Sequence, residues 1–380
     1  MLIQIFGHIR RLRVPTHDFS LSRDTGNTRC LSGLLLLFLL QVAFADAQQA
    51  ISFQEMKGFP TAEQGIEKGV SACFAGCLDH SLIIAGGCNF PDRPPQEGGR
   101  KKYYQGIYAA VLDGSTQLVW KEVGQLPAPC AYGVSLQTRN GIICIGGNNA
   151  EERLRDAFVI QFANNKATTA ALPSLPQPMD NFAGAIEGSK VYVYSDREAW
   201  ELDLENANAG WKPILQRNET RVQPVGGVAD GQFCVWGGYS PKSATAHATL
   251  NMDGFACTPS GSSPLSTPEM DGEKVFLGGS ASINLGADSI LVVGGVNKDI
   301  FLKALNNPPE GYMLHTPEWY RFNPHLFIYS RKRWHHVASS PLAARAGTTL
   351  ARQGNNIYAV GGELKPGVRL PNVLRITFRQ

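Results

Sequence analysis

An apolar run closing on two glycines recurs along the chain. It appears as "LIIAGG" at Gly86-Gly87, "IICIGG" at Gly146-Gly147, "FCVWGG" at Gly237-Gly238, "LVVGG" at Gly294-Gly295 and "IYAVGG" at Gly361-Gly362. A degenerate copy, "KVYVYSD", fills the gap at Lys190–Asp196. An earlier strand with small residues precedes each pair, as in "AYGVSL" at Ala131–Leu136, and an aromatic strand follows. Six units at a period of about 55 residues lie near the kelch spacing. A four-stranded sheet cannot bury both faces alone, whereas radial stacking covers each sheet with its neighbours and protects the edges. The expected fold class is therefore all-β, a six-bladed kelch-type β-propeller. A β-sandwich would not produce a repeat of this length.

Closure requires the two ends of the fold to meet. After the last glycine pair only "NVLRITF", Asn372–Phe378, reads as a strand. The orphan segment "AISFQEM", Ala50–Met56, is expected beside it as the outermost strand of the last blade.

Composition agrees with many short strands: Gly 40 and Pro 23, with 43% hydrophobic residues for the core. The net charge is only +3, and no basic run with interleaved aromatics is present, so nucleic acid is not an expected partner. Residues 1–47 read as a leader outside the fold. Arg10, Arg11, Arg13 and Arg23 precede the apolar stretch Leu34–Leu40, and Ala45 and Ala47 have the spacing of a cleavage site. The apolar stretch is well short of the roughly 20 residues that a membrane span needs. A signal peptide cleaved after Ala47, an exported, periplasmic protein and a propeller over 48–380 are the expectation, with no membrane span after cleavage.

Cys30 leaves with the leader, and seven cysteines remain. An exported compartment permits disulfides. Cys144 and Cys234 nonetheless sit within apolar strands as small buried thiols, and Cys73 and Cys77 share a strand face too far apart to bridge. The histidines show no metal spacing.

The segments after each glycine pair are long and polar: "CNFPDRPPQEGGRKKYY", "NNAEER", "YSPKS", "VNKDIF" with an insertion to about Arg331, and "ELKPGVR". Together they should form a funnel over the central channel. Arg221 in "NETRVQPVGG" and Arg345 in "AARAGTT" precede inner strands and are expected near the axis.

"VGGELKPGVR", "VVGGVNKDIF", "AYGVSL" and "FAG…LIIAGG" together resemble the N-acetylneuraminate (sialic acid) mutarotase, or epimerase, family. Its members are exported six-bladed kelch propellers that convert the alpha anomer of free sialic acid, as sialidases release it, to the beta anomer. The blades that open this chain resemble the family's closing blades, as in its cyclically permuted branch. The family's G-E-x-K-P-G-x-R segment maps onto Gly362, Glu363, Lys365, Pro366, Gly367 and Arg369. The resemblance implies Glu363 as the acid/base, and Arg369, Arg221 and Asn297 as substrate-binding residues. Arg345 joins them by position alone. It implies a sugar-acid substrate and no cofactor or metal; a homodimer is left open. For the second proton donor, Lys365, Tyr103, Tyr104 and water are all open. The rival from another class is a non-catalytic kelch interaction or carbohydrate-binding module, since the fold hosts both. A sialidase would carry S-x-D-x-G-x-T-W boxes, and a copper oxidase a Tyr/His/Cys ligand set; neither can be read here.

Overall fold

In a computed structural model of the chain, which describes residues 51–379, six antiparallel sheets stand around one axis as the blades of a β-propeller. Blade 1 is built from Phe74–Leu78, Ser81–Ala85, Gly106–Val111 and Trp120–Gln125. Blade 2 comprises Val134–Gln137, Ile142–Ile145, Ala157–Ala163 and Lys166–Leu172. Blade 4 comprises Val225–Ala229, Gln232–Trp236, Gly254–Thr258 and Gly261–Leu265. Blade 5 comprises Ala281–Gly286, Ser289–Val293, His325–Ser330 and Arg333–Ser339. The expected leader, residues 1–47, lies outside the described residues. No described helix is long and apolar enough to cross a membrane.

Blade 3 is the degenerate one. It carries Ala183–Glu187, the long stretch Lys190–Asp203 and Lys212–Arg221. The long stretch is strand throughout, yet its ends lie together: Leu204 N donates to Ser189 O at 2.8 Å, and Lys190 pairs with Glu201 at 3.2 Å. It is therefore a hairpin supplying the second and third strands. Its tip, Asp196, holds a left-handed φ of 54° where the other blades have a glycine pair and a loop.

Blade 6 closes the ring. Thr349–Gln353, Asn356–Val360 and Val373–Phe378 are joined by Ile51–Met56 as the outer strand, in register from Ile51 opposite Phe378 to Met56 opposite Val373. The expected pairing of the two ends is thus present. Alternation decides its faces: Ile51 and Phe53 pack towards blade 5, while Met56 is buried on the opposite side.

The core lies between blades. Phe74 of blade 1 meets Phe158 of blade 2 edge-on at 6.1 Å, Tyr192 of blade 3 stacks on Phe233 of blade 4 at 5.5 Å, and Trp236 of blade 4 lies 4.8 Å from Tyr329 of blade 5. Burying an aromatic side chain in this way is worth roughly 1.5–3 kcal/mol. The glycine pairs stitch these layers together. The second glycine donates its N–H to the next blade in four cases: Gly87 to Cys130 O, Gly147 to Met179 O, Gly295 to Arg345 O and Gly362 to Val70 O, at 2.8–2.9 Å. The approach is close enough to exclude side chains. Gly361 has φ 55°, and a Cβ there would lie 2.1 Å from Val70 O. The seven described cysteines are free and buried.

One further feature sets the floor of the channel. Just before or at the start of each inner strand, one residue per blade adopts a left-handed conformation. These are Ala72, Tyr132, Asn181, Gln223, Gly279 and Gly347, with φ between 52° and 66°. Backbone hydrogen bonds join them head to tail. Ala72 N donates to Gly347 O, Tyr132 to Ala72, Asn181 to Tyr132, Gln223 to Asn181 and Gly347 to Gly279, at 2.7–3.0 Å. The four that are not glycine hold a conformation that costs on the order of 1–3 kcal/mol each.

Candidate functional site

After four of the five glycine pairs, the next residue is placed by a two-bond bridge to the residue just before the ring. Ser71 bridges Cys88, Ala131 bridges Asn148, Val222 bridges Tyr239, and Ala346 bridges Glu363. At this repeat position Val296 and Glu363 line an axial cavity. In blade 6 the position holds a carboxylate: Glu363 N donates to Ala346 O at 2.7 Å and Ala346 N returns to Glu363 O at 3.1 Å. The following segment is a hairpin, Glu363–Lys365 against Val368–Arg369, turned by Pro366-Gly367. The turn folds Arg369 back onto Glu363, with Nη1 2.5 Å from Oε1. Lys365 fixes the hairpin from outside, donating to Met313 O at 3.3 Å and His315 O at 2.6 Å.

Glu363 lines a cavity of about 150 Å³. Its floor includes Tyr132, Gln223, Gly279 and Gly347 of the ring, and it adjoins a second cavity of about 180 Å³ along the axis. The insertion after Phe301 builds the opposite wall. The helix Lys298–Asn306 contributes Ile300 and Phe301, and the turns beyond it contribute Tyr312, Tyr320 and Phe322. An apolar wall facing a carboxylate makes the pocket amphipathic.

A neighbouring guanidinium on its own would hold Glu363 in its charged form. Burial outweighs that attraction: the carboxyl is pushed above its ordinary value, with Arg369 and then Lys101 only partly offsetting the shift. The Glu363 side chain is 23% exposed and Arg369 3%. The carboxylate thus fronts the cavity, with the guanidinium behind it.

The other site residues fare unequally. Arg369 lies behind the carboxylate, 3% exposed, paired with Glu363 and donating through Nε to Cys88 O at 3.4 Å. Arg221 is buried, gripping both carboxylate oxygens of Asp253 at 2.7 Å and Gly237 O at 3.0 Å. Arg345 is buried as well, donating to Leu342 O at 2.7 and 3.0 Å and to Gly361 O at 3.0 Å. Both side chains turn into their blades, away from the Glu363 cavity, to satisfy the carbonyl of the first glycine of the pair. Asn297 does line the cavity, but its Oδ1 caps the helix, accepting from Asp299 N and Ile300 N at 3.1 Å. Of the proposed second donors, Tyr104 is buried on Asn89 at 2.8 Å, Lys365 is spent on the insertion, and Tyr103 lines a neighbouring groove.

Two residues escaped sequence reasoning. Tyr132 stands on the ring within the cavity, and Lys101, from the loop after the first glycine pair, folds over it. The Lys101 ammonium lies 4.8 Å from the Tyr132 ring centroid and 3.1 Å from its hydroxyl, and also contacts Phe90 and Tyr103 at 5.9 Å. Among the described residues no carboxylate lies within ion-pair distance of Lys101, and none of the clusters of His, Cys, Asp and Glu would suit a metal.

Residues 40–169 and 172–380 match the family model described as N-acetylneuraminate epimerase. A Haemophilus influenzae protein named N-acetylneuraminate epimerase is 30% identical over 222 residues, covering 53% of this chain and 58% of its own length. A Salmonella arizonae protein of the same name is 30% identical over 229 residues, covering 55% and 58%. The chain thus spans little more than half the length of the curated relatives it matches. A solved structure, "Structure of YjhT", is 23% identical with a TM-score of 0.48, over 55% of this chain and 65% of that one.

Proposed function

Given that the chain belongs to the N-acetylneuraminate epimerase family, we propose that it interconverts the alpha and beta anomers of free N-acetylneuraminate, with Glu363 as the proton-transfer residue. The observation that carries this reading is the Glu363–Arg369 hairpin, which presents a carboxylate at the wall of the axial cavity and braces it from behind at 2.5 Å. Mutarotation opens a hemiketal ring. A base removes the proton of the anomeric hydroxyl, the ring carbon–oxygen bond breaks, the ketone turns, and the ring closes on its other face. A positioned carboxylate supplies typically about 10²–10⁴-fold. Its raised pKa suits the task, because a base titrating nearer neutrality both accepts and returns a proton readily.

Arg369 serves this reading as the residue that orients Glu363, not as the ligand clamp. The sugar carboxylate falls to Lys101, whose ammonium has three donors and uses one on Tyr132. An exported enzyme acting on sugar freed outside the cell agrees with the leader-like sequence of residues 1–47. The test is an NMR time course of freshly released alpha-N-acetylneuraminate with and without the protein. Faster appearance of the beta anomer is expected. An unchanged rate would leave a carbohydrate-binding or interaction module as the reading.

A further inference from the structure

We propose that Tyr132 is the second proton-transfer group, its phenol serving the ring oxygen while Glu363 serves the anomeric hydroxyl. This rests on the mutarotase reading and adds to it the residue that completes the proton balance.

Tyr132 occupies a costly place. Of the six left-handed ring positions, two are glycine, and the others are Ala72, Asn181, Gln223 and Tyr132. Asparagine tolerates such a φ, whereas a bulky aromatic side chain pays for it. Blade geometry alone does not call for tyrosine here, since glycine serves at Gly279 and Gly347. The hydroxyl is also oriented. Its oxygen accepts from Lys101 Nζ at 3.1 Å and from the Cys88 thiol at 3.3 Å. Among the described residues no acceptor takes the phenol's own proton, which leaves that proton available to the cavity that Tyr132 and Glu363 both line. Burial pushes the phenol well above its ordinary value, with the Arg369 charge opposing, so it begins the cycle protonated. Glu363 and Tyr132 are further linked through Cys88, whose carbonyl receives Arg369 Nε and whose thiol meets the phenol.

The step balances without another reactant. Glu363 takes the anomeric hydroxyl proton as the carbonyl forms. The ring carbon–oxygen bond gives its electron pair to the ring oxygen, which takes the Tyr132 proton. The resulting phenolate sits beside the Lys101 ammonium. On reclosure the hydroxyl attacks the other carbonyl face and returns its proton to the phenolate, while Glu363 returns its own to the new anomeric oxygen. Both groups end as they began.

Tyr132→Phe removes the hydroxyl and keeps the ring. With an unchanged melting temperature, it should lower the catalysed anomer exchange about 100-fold or more. Tyr103→Phe, a phenol outside the cavity, should stay within about twofold. A polyfluorinated tyrosine at position 132 keeps the shape and lowers the phenol pKa. It should create an alkaline limb near neutral pH that the wild type lacks, an effect no merely structural role would produce. If the wild type accelerates exchange while Tyr132→Phe retains most of the rate, or the fluorinated protein gains no such limb, Tyr132 is not the acid and the mutarotase reading stands without it. If the wild type itself gives no acceleration, that reading fails and this inference falls with it.

Discussion

Blades 4 and 6 are built to one plan and differ in what they carry. Each is preceded by an arginine, Arg221 at the end of the last strand of blade 3 or Arg345, that turns onto the carbonyl of the blade's first glycine, Gly237 or Gly361, at 3.0 Å. Each bridges the residue after the pair, Tyr239 or Glu363, to the residue before the ring. In blade 4 that residue packs its ring on Phe301 of the insertion at 5.3 Å. In blade 6 it is a carboxylate with a guanidinium behind it. The arginines that look most suited to binding an anion belong to the shared plan, and the chemistry comes from one repeat position filled differently. A charged residue repeated at equivalent positions of a solenoid or propeller is better read as scaffold than as site.

The largest effect should come from a second difference between these blades, that blade 6 is assembled from distant parts of the chain. Removing residues up to Met56 strips the outer strand from Val373–Phe378 and leaves an open edge. Loss of a cooperative thermal transition is expected, and a retained melting temperature would show that blade 6 is as self-sufficient as blade 4. Next is Glu363→Gln, which keeps shape and cannot take a proton. Catalysed exchange should fall about 10²–10⁴-fold with the fold intact, as read by NMR and circular dichroism. An unaffected rate would make Glu363 as structural as Tyr239. Third, Arg221→Met and Arg345→Met should each cost about 1–3 kcal/mol of stability by denaturant unfolding, through carbonyls and, for Arg221, the Asp253 pair left unmet. Exchange per folded molecule should stay within about twofold, and a selective loss of activity would return these arginines to the site. The smallest effect concerns pH. On the proposed reading Glu363 acts as base only when ionised, and Arg369 lowers its otherwise raised pKa. Arg369→Met removes that lowering, so the acidic limb of the rate profile should move to higher pH. A shift to lower pH would contradict the assigned geometry.

Much of the scaffold was legible because glycine pairs mark places where no side chain fits, as the 2.1 Å approach to Val70 O at Gly361 makes plain. The hairpin of Glu363 was legible for a related reason: Pro366-Gly367 dictates a turn, and a turn returns Arg369 to its side. What escaped depends on which acceptor a long side chain finds. Arg221 and Arg345 were placed correctly before their inner strands, but nothing local says that a guanidinium will reach a glycine carbonyl sixteen residues on. Asn297 read as a ligand-binding amide, yet the helix Lys298–Asn306 claims its oxygen. Lys101 and Tyr132 are 31 residues apart and meet only because blades 1 and 2 adjoin. The net rise of the Glu363 pKa needed the extent of its burial, which no sequence spacing reports.

A ring of six nearly equivalent backbones offers a ligand six nearly equivalent orientations. For a chiral substrate that must place one oxygen at one carboxylate, such symmetry is a handicap. The ring resolves it by composition. Tyr132, Asn181 and Gln223 follow one another along one arc, and Gly279, Gly347 and Ala72 along the other. Half the circle presents phenol and amides, and half presents bare backbone and a methyl group. Any ligand resting on this floor would meet a polar side and an open side, and Glu363 rises next to the open one through its bridge to Ala346. The degeneracy of the scaffold is broken at its innermost circle, where the fewest substitutions suffice to give the pocket a direction.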